Sequence, residues 1–126
     1  MADGEGARST TTALGRLAED LAAGYLEQLG YRVVARNFRG DRGEVDLVAW
    51  EGGVLCFVEV RSRKSSEYGE PLETIDQRKI QRVVRAARAY VGSLTGPWPE
   101  MRFDAVGIVM TEPPQITLVR CAFEAH

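Results

Sequence analysis

Four charged side chains stand at spacings that suit joint chemistry. Glu44 and Asp46 lie in the run GEVDLVAW, Glu59 and Arg61 lie in VLCFVEVR, and Glu51-Gly52-Gly53-Val54 separates them. Both runs have strand patterning, and Gly-Gly is a hairpin signal. Every second residue of a strand shares a face. With Gly52 and Gly53 as the two loop residues, Glu51 pairs with Val54. The same register sets Asp46 against Glu59 and Glu44 against Arg61, all on one face. Opposed carboxylates repel, and a carboxylate in a strand apolar on both faces carries a desolvation cost. A divalent cation would compensate, because Mg²⁺ takes hard oxygen ligands, usually one or two carboxylates with water and phosphate. Such an ion polarises a phosphodiester, and Arg61 would face the charge that builds on the phosphate. The spacing equally admits a metal-free charged ladder in which Arg61 satisfies both Glu59 and Glu44.

The elements that must hold these residues can be read along the chain. Thr11 or Thr12 caps a helix running to Gln28, with Leu14, Leu17, Ala18, Leu21, Tyr25 and Leu29 as its apolar stripe and Gly30 as its stop. Glu19 falls near the edge of that stripe. Residues 31–37 read as a strand, 40–43 as a turn and 44–50 as a second strand. Residues 54–60 are nearly continuous in apolar character, as in a central strand covered on both faces. Residues 63–73 read as a polar, mobile loop. Thr74 or Asp76 opens a second helix through Val91, with Ile80, Val83, Val84, Ala87 and Val91 inward and Arg78, Lys79, Arg82, Arg85 and Arg88 elsewhere on it. After a loop at 93–100, residues 102–110 and 115–123 read as two more strands. The order α-β-β-β-α-β-β predicts an α/β fold, a mixed sheet flanked by helices.

Length and composition bound the rest. The 126 residues, 44% hydrophobic, predict one folded domain over 11–126 behind a flexible N-terminus at 1–10. No apolar run reaches the length of a membrane span, and the polar start has no signal-peptide core, so a cytoplasmic protein without a membrane partner is expected. Net charge is −2, which argues against a simple basic nucleic-acid binder, yet residues 31–90 carry twelve basic and nine acidic side chains. Of the 16 basic residues 14 are Arg, which suits phosphate; a GC-rich genome would produce the same bias. Arg36, Arg39 and Arg42 precede the acidic strand, Arg63 and Lys64 follow the other, and Lys79, Arg82 and Arg85 lie on the second helix. All are candidates for contacting nucleic-acid phosphates, and a solvated charged surface accounts for them as well. Phe38 among them is read as core rather than as a ring stacking on a base. Cys56, on the strand face opposite Glu59, reads as a buried thiol. His126 is the only histidine, so triad and His-zinc chemistry are excluded, and no phosphate-binding glycine loop is present.

Gly43-Glu44-Val45-Asp46-Leu47 followed by Phe57-Val58-Glu59-Val60-Arg61 resembles the PD-(D/E)XK nuclease superfamily. More closely, the chain resembles the small bacterial YraN-like family, described as endonuclease-like and related to archaeal Holliday-junction resolvases. The likeness spans nearly the whole chain: Leu14-Gly15, Ala18-Glu19, Gly30-Tyr31, Arg36-Asn37-Phe38-Arg39, the paired acidic strands, Lys79 and Arg102-Phe103-Asp104. The resemblance implies a restriction-endonuclease-like fold and Mg²⁺- or Mn²⁺-dependent hydrolysis of branched or structured DNA. It makes DNA the partner and is compatible with a homodimer. It implies Asp46 and Glu59 as metal carboxylates, the Val60 carbonyl as a further ligand, Glu19 as a helical acid of the site and Glu44 as an accessory acid. Arg61 is the departure, standing where the signature has Lys. Lys can lose its proton to activate water and Arg in practice cannot, so Arg61 is left a role in charge stabilisation. The alternative is a non-catalytic nucleic-acid-binding domain on the same fold.

Overall fold

The computed structural model describes residues 13–65, 67 and 69–124. The expected N-terminal segment, the caps Thr11 and Thr12, and Ser66 lie outside the described residues. Helix α1 (Ala13–Gln28) leads into strands β1 (Arg32–Gly40), β2 (Gly43–Glu51) and β3 (Val54–Arg63). A 3₁₀ turn (Pro71–Thr74), helix α2 (Gln77–Gly92) and strands β4 (Glu100–Val109) and β5 (Gln115–Val119) follow. The five strands form one sheet in chain order. β3 and β4 run parallel, joined by the crossover through α2, and the other neighbours are antiparallel. This is the mixed α/β layout expected.

The sheet separates two apolar clusters. Ala18, Ala22, Ala23 and Leu26 of α1 pack on Leu47, Ala49, Cys56, Val58 and Val106. Val83, Val84, Ala87 and Val91 of α2 pack on Val48, Leu55, Phe57 and Phe103. The inner face of α2 is close to the expected stripe. That of α1 matches in part: Ala18 and Leu21 of the expected stripe pack on the sheet, but Leu17 and Leu29 are exposed, and Ala22, Ala23 and Leu26 face the sheet in their place. The reason is tethering as well as size. Asp20 holds Arg36 of β1 at 2.6 Å, and Glu19 accepts from Asn37 at 3.0 Å. These bonds fix the rotation of α1 and leave the alanine side against the strands. No helix of the described residues is long and apolar enough to cross a membrane.

The β1–β2 and β2–β3 hairpins both have two-residue loops, yet their glycines serve different ends. The Gly52-Gly53 loop pairs Glu51 with Val54 and Leu47 with Val58. Of its two glycines only Gly52 has positive φ, 59°, the pattern of a type II′ turn rather than positive φ at both positions. In the first hairpin the positive φ values belong to Asp41 (51°) and Arg42 (61°). Gly40 and Gly43 flank that loop because α2 lies on them. A Cβ on Gly43 would sit 2.1 Å from the Arg82 carbonyl oxygen, and one on Gly40 would sit 2.7 Å from Ala89 Cβ.

Both ends of the polar stretch after β3 carry regular structure. β3 itself continues to Arg63, and the 3₁₀ turn buries Pro71 and seats Leu72 against Gly107. Asp76 then caps α2, its Oδ1 accepting from the Lys79 N–H at 3.0 Å. β5 is shorter than expected and ends at Val119. Cys121 just beyond it has φ 55°, which strand geometry excludes. Phe38 meets Tyr90 edge-on with centroids 5.1 Å apart, which places it in the core.

Candidate active site

Alternation along β1 breaks first at a bulge between Val33 and Ala35, and then along β1 and β2 together at one further level. Val45 packs in the α2-side cluster, whereas Leu47, two residues on, packs in the α1-side cluster. Ala35 and Phe38, three apart on β1, both pack on the α2 side. The pleat therefore slips at Asn37 and Asp46, and Asn37 takes φ 52°. Antiparallel pairing of β2 with β3 ends there too, its last pair being Leu47 with Val58. An unbroken ladder would give the Val60 N–H to Val45. Instead Val60 N–H donates to Asp46 Oδ2 at 2.8 Å. In extended backbone the N–H and C=O of one residue point to the same neighbouring strand, so the Val60 carbonyl faces this gap as well.

The gap opens into a cavity of about 470 Å³ lined by Glu19, Asn37, Glu44, Asp46, Glu59, Val60, Arg61, Arg63, Lys79 and Arg82, among others. Asp46 is 9% exposed and Glu59 is fully buried. Burial raises the carboxyl pKa of both, and for Glu59 the charge of Asp46 adds to the rise. Lys79 Nζ stands 3.2 Å and Arg61 Nε 3.8 Å from Glu59 Oε2. Neither glutamate oxygen makes a hydrogen bond. Glu19 also has a raised pKa, chiefly through burial, and it senses the charge of Asp46.

The expected pairing of Glu44 with Arg61 does not form. Glu44 Oε1 accepts from Arg82 Nη2 at 2.8 Å, because the slipped pleat and the helix resting on Gly43 bring α2 to it. The charged ladder is thus half present: Arg61 reaches Glu59 alone, and α2 supplies the other cations. Lys79, one turn before Arg82, lies inside the site, a place that sequence reasoning did not give it. The usable signal was its position just after the Asp76 cap, on the side of α2 that Arg82 also presents. Of the other basic candidates, Arg36 is engaged by Asp20 on the α1 side. Arg39 lies opposite Glu44 in the β1–β2 register and is exposed. Arg42 is exposed in its turn, Lys64 is exposed past β3, and Arg85 is exposed on α2.

The donor set can be tested against a divalent cation. Among the described residues no third acidic, His or Cys side chain completes a cluster with Asp46 and Glu59. Two carboxylates suffice for Mg²⁺ when water and phosphate fill the other positions. One Asp46 oxygen is committed to Val60, which leaves the other, while both Glu59 oxygens are buried without a hydrogen-bond partner. Orphaned buried carboxylate oxygens beside a second acid fit such an ion. Asp46, Glu59 and the Val60 carbonyl are the groups that would hold it.

The sequence pattern of the uncharacterised protein family UPF0102 matches residues 18–108, from the inner face of α1 to the end of β4. The chain belongs to the UPF0102 family. A UPF0102 protein of Anaeromyxobacter sp. strain Fw109-5 is 46% identical over the whole chain and 96% of its own length. One from Solibacter usitatus is 45% identical over 86% of this chain and 84% of its own. A third, from Chlorobaculum parvum, is 44% identical over 76% and 74% respectively. UPF0102 is the YraN-like family that the sequence resembles. The matched span contains every residue that lines the cavity except Gly15.

Proposed function

We propose that this protein is a Mg²⁺- or Mn²⁺-dependent endodeoxyribonuclease that hydrolyses phosphodiester bonds in branched or otherwise structured DNA. The observation that carries the reading is Glu59: fully buried beside Asp46, with no well-formed hydrogen bond and only the ion-pair approaches of Lys79 at 3.2 Å and Arg61 at 3.8 Å, facing an open cavity. A buried acid in that state costs stability unless it serves a ligand. A divalent cation held by Asp46, Glu59 and the Val60 carbonyl would polarise the phosphodiester and acidify a water at neutral pH.

The protein's own groups supply the rest. Hydrolysis consumes one water: a new P–O bond forms, the bond to the leaving sugar oxygen breaks, and that oxygen takes a proton. Negative charge grows on the phosphate oxygens meanwhile. Arg61 and Lys79 place two cations at the carboxylate pair, where they counter this charge. Lys79 also bears on the departure from the signature, since a lysine stands at Glu59 although residue 61 is Arg. Arg82 neutralises Glu44 and keeps a further negative charge away from an incoming phosphate.

The test is incubation of purified protein with branched, single-stranded and linear duplex DNA in Mg²⁺, Mn²⁺ or EDTA, with Asp46→Asn as the blank. Metal-dependent cleavage of branched DNA, lost in the blank, is the expected result. Arg61→Lys should keep or raise that cleavage, because it restores the signature. Arg61→Ala should lower it by a factor of about 100–1000, as for loss of one charge-stabilising donor. Equal cleavage by wild type and blank would identify contamination. DNA binding without metal-dependent cleavage would overturn the catalytic reading in favour of a binding domain.

A further inference from the structure

β3 runs on past its last pair with β2, although β2 itself continues to Gly43. Its pairing with β2 stops at Val58, while its pairing with β4 continues to Arg63 opposite Val109. The Arg63 carbonyl accepts the Met110 N–H at 2.8 Å and pins that end. The strand from Glu59 to Arg63 is therefore held in register on one edge, while its other edge meets the cavity. Glu59, Arg61 and Arg63 share a face by alternation, and all three line the cavity.

The two arginines are not spent on the protein. Nε of Arg61 and Nε of Arg63 are buried with no hydrogen-bond partner. Arg61 has only the 3.8 Å approach to Glu59, and no acidic side chain among the described residues pairs with Arg63. By contrast Lys79 and Arg82 are committed to Glu59 and Glu44. A buried donor without an acceptor costs about 1–3 kcal/mol, and two in alternate positions of one strand point to an acceptor that comes from outside. Guanidinium geometry matches phosphate oxygens. Residues two apart on a strand are separated by about 6.8 Å, a span on the scale of successive phosphates in a nucleic-acid strand.

We propose that Arg61 and Arg63 clamp two consecutive phosphates of one nucleic-acid strand, which lies along the stretch of β3 that β2 leaves unpaired. The phosphate at Arg61 is the one beside Asp46 and Glu59, and its neighbour is held at Arg63. The inference rests on the nuclease reading and narrows its substrate. The reacting phosphodiester must have a charged neighbour on the Arg63 side, so cleavage is confined to internal positions of a strand.

Binding in EDTA isolates the clamp from metal and cleavage. The affinity for a short single-stranded oligodeoxynucleotide is measured against salt for wild type, Arg61→Gln, Arg63→Gln and the double variant, with thermal melts to confirm folding. Each lost phosphate contact reduces the steepness of log K against log salt by about 0.7 on single strands. Each single variant should lose about that much and the double about 1.4. Arg63→Lys, which keeps the charge and loses the fork, should retain the slope and bind more weakly; it also stands in should Arg63→Gln melt early. A wild-type slope in Arg63→Gln with a reduced one in Arg61→Gln would overturn the two-phosphate clamp and leave the nuclease reading intact. Absence of oligonucleotide binding by the wild type at low salt would overturn the clamp, while the nuclease reading is overturned only by absence of metal-dependent cleavage of branched DNA.

Discussion

Glu59 on β3 and Asp104 on β4 are both fully buried, and Asp104 lies opposite Val58, next to Glu59 in the chain. They face opposite sides of the sheet, and their surroundings differ in kind. Asp104 is saturated. Its Oδ1 accepts from Arg102 Nε at 2.8 Å and from the Cys121 N–H at 3.0 Å, and its Oδ2 accepts from Tyr31 Oη and Arg102 Nη2, both at 2.9 Å. Arg102 continues to Glu51, which Arg120 grips with two further hydrogen bonds. Glu59 has two cations within ion-pair reach and no hydrogen bond at all. A fully satisfied buried network rigidifies a fold, whereas a partly satisfied one carries an unrelieved cost. The α1 face of the sheet thus invests its buried acid in structure, and the α2 face keeps its acid available for a ligand.

The sharpest way to break this comparison is to neutralise each acid in turn. Asp104→Ala removes the buried acceptor shared by Arg102, Tyr31 and the Cys121 N–H, leaving Arg102 only its bonds to Glu51 and Tyr31, and should cost about 3–5 kcal/mol in urea unfolding. Glu59→Gln removes a buried charge, while Lys79 still senses Asp46. That variant should be as stable as wild type or gain up to about 2 kcal/mol, with cleavage abolished. Comparable losses in the two variants would show that Glu59 is structural after all.

Next in size is the support under the site. Gly43→Ala would drive a methyl into the Arg82 carbonyl and the Ala86 nitrogen. Lifting α2 should cost about 1–3 kcal/mol and loosen Arg82 from Glu44 and Lys79 from Glu59. Gly53→Ala meets nothing within 4 Å and is the control, expected to unfold like wild type. Mn²⁺ titration by calorimetry on both variants tells whether the carboxylates bind metal without the helix in place. On the other face, Tyr31→Phe removes one of four donors to Asp104 and should cost about 0.5–1.5 kcal/mol. A loss near that of Asp104→Ala would mean that Tyr31, not Arg102, holds the network.

Much of the frame was legible because it follows from local rules. Gly52-Gly53 set the β2–β3 register, the apolar run at 54–60 marked the central strand, and Asp76 and the valines of α2 marked that helix. The errors arose where long-range contacts override periodicity. Alternation from Val45 to Leu47 fails because Asn37, in a left-handed conformation, and Asp46 slip the pleat together, although Glu44 and Asp46 still line one cavity; nothing local to β2 announces it. Leucine spacing placed Leu17 and Leu29 on the inner face of α1, where the structure has Ala22, Ala23 and Leu26 beside Ala18, since tethers to Arg36 and Asn37 set its rotation. Lys79 read as one of several helix cations because only the close seat of α2 on Gly43 carries its side chain to Glu59. The Asp104 network gathers groups as far apart as Tyr31 and Asp104, 73 positions in the chain, and Glu51 and Arg120, 69 positions. No sequence window holds both partners.

The smallest effect concerns pH and separates the two regions by sign. Hydrogen bonds from Arg120, joined by those from Arg102, outweigh burial and hold the Glu51 carboxyl down at about 2 from its usual 4.5. A carboxyl depressed on folding contributes stability that is present above the unfolded value and is lost as pH falls from about 4.5 through about 2. Glu59 has the opposite sign: its carboxyl is pushed up on folding, so its ionisation costs stability as pH rises above the usual 4.5. Glu51 is partly open to solvent, so its share is modest and screened by salt. Melting curves of wild type and Glu51→Gln should therefore converge as pH falls through that window and separate above it, with a smaller gap in high salt. Glu59→Gln should separate from wild type on the alkaline side instead, in the stabilising direction. If both variants diverge from wild type over the same acidic range, the two acids are doing the same structural work, and the division of labour between the two faces of the sheet does not hold.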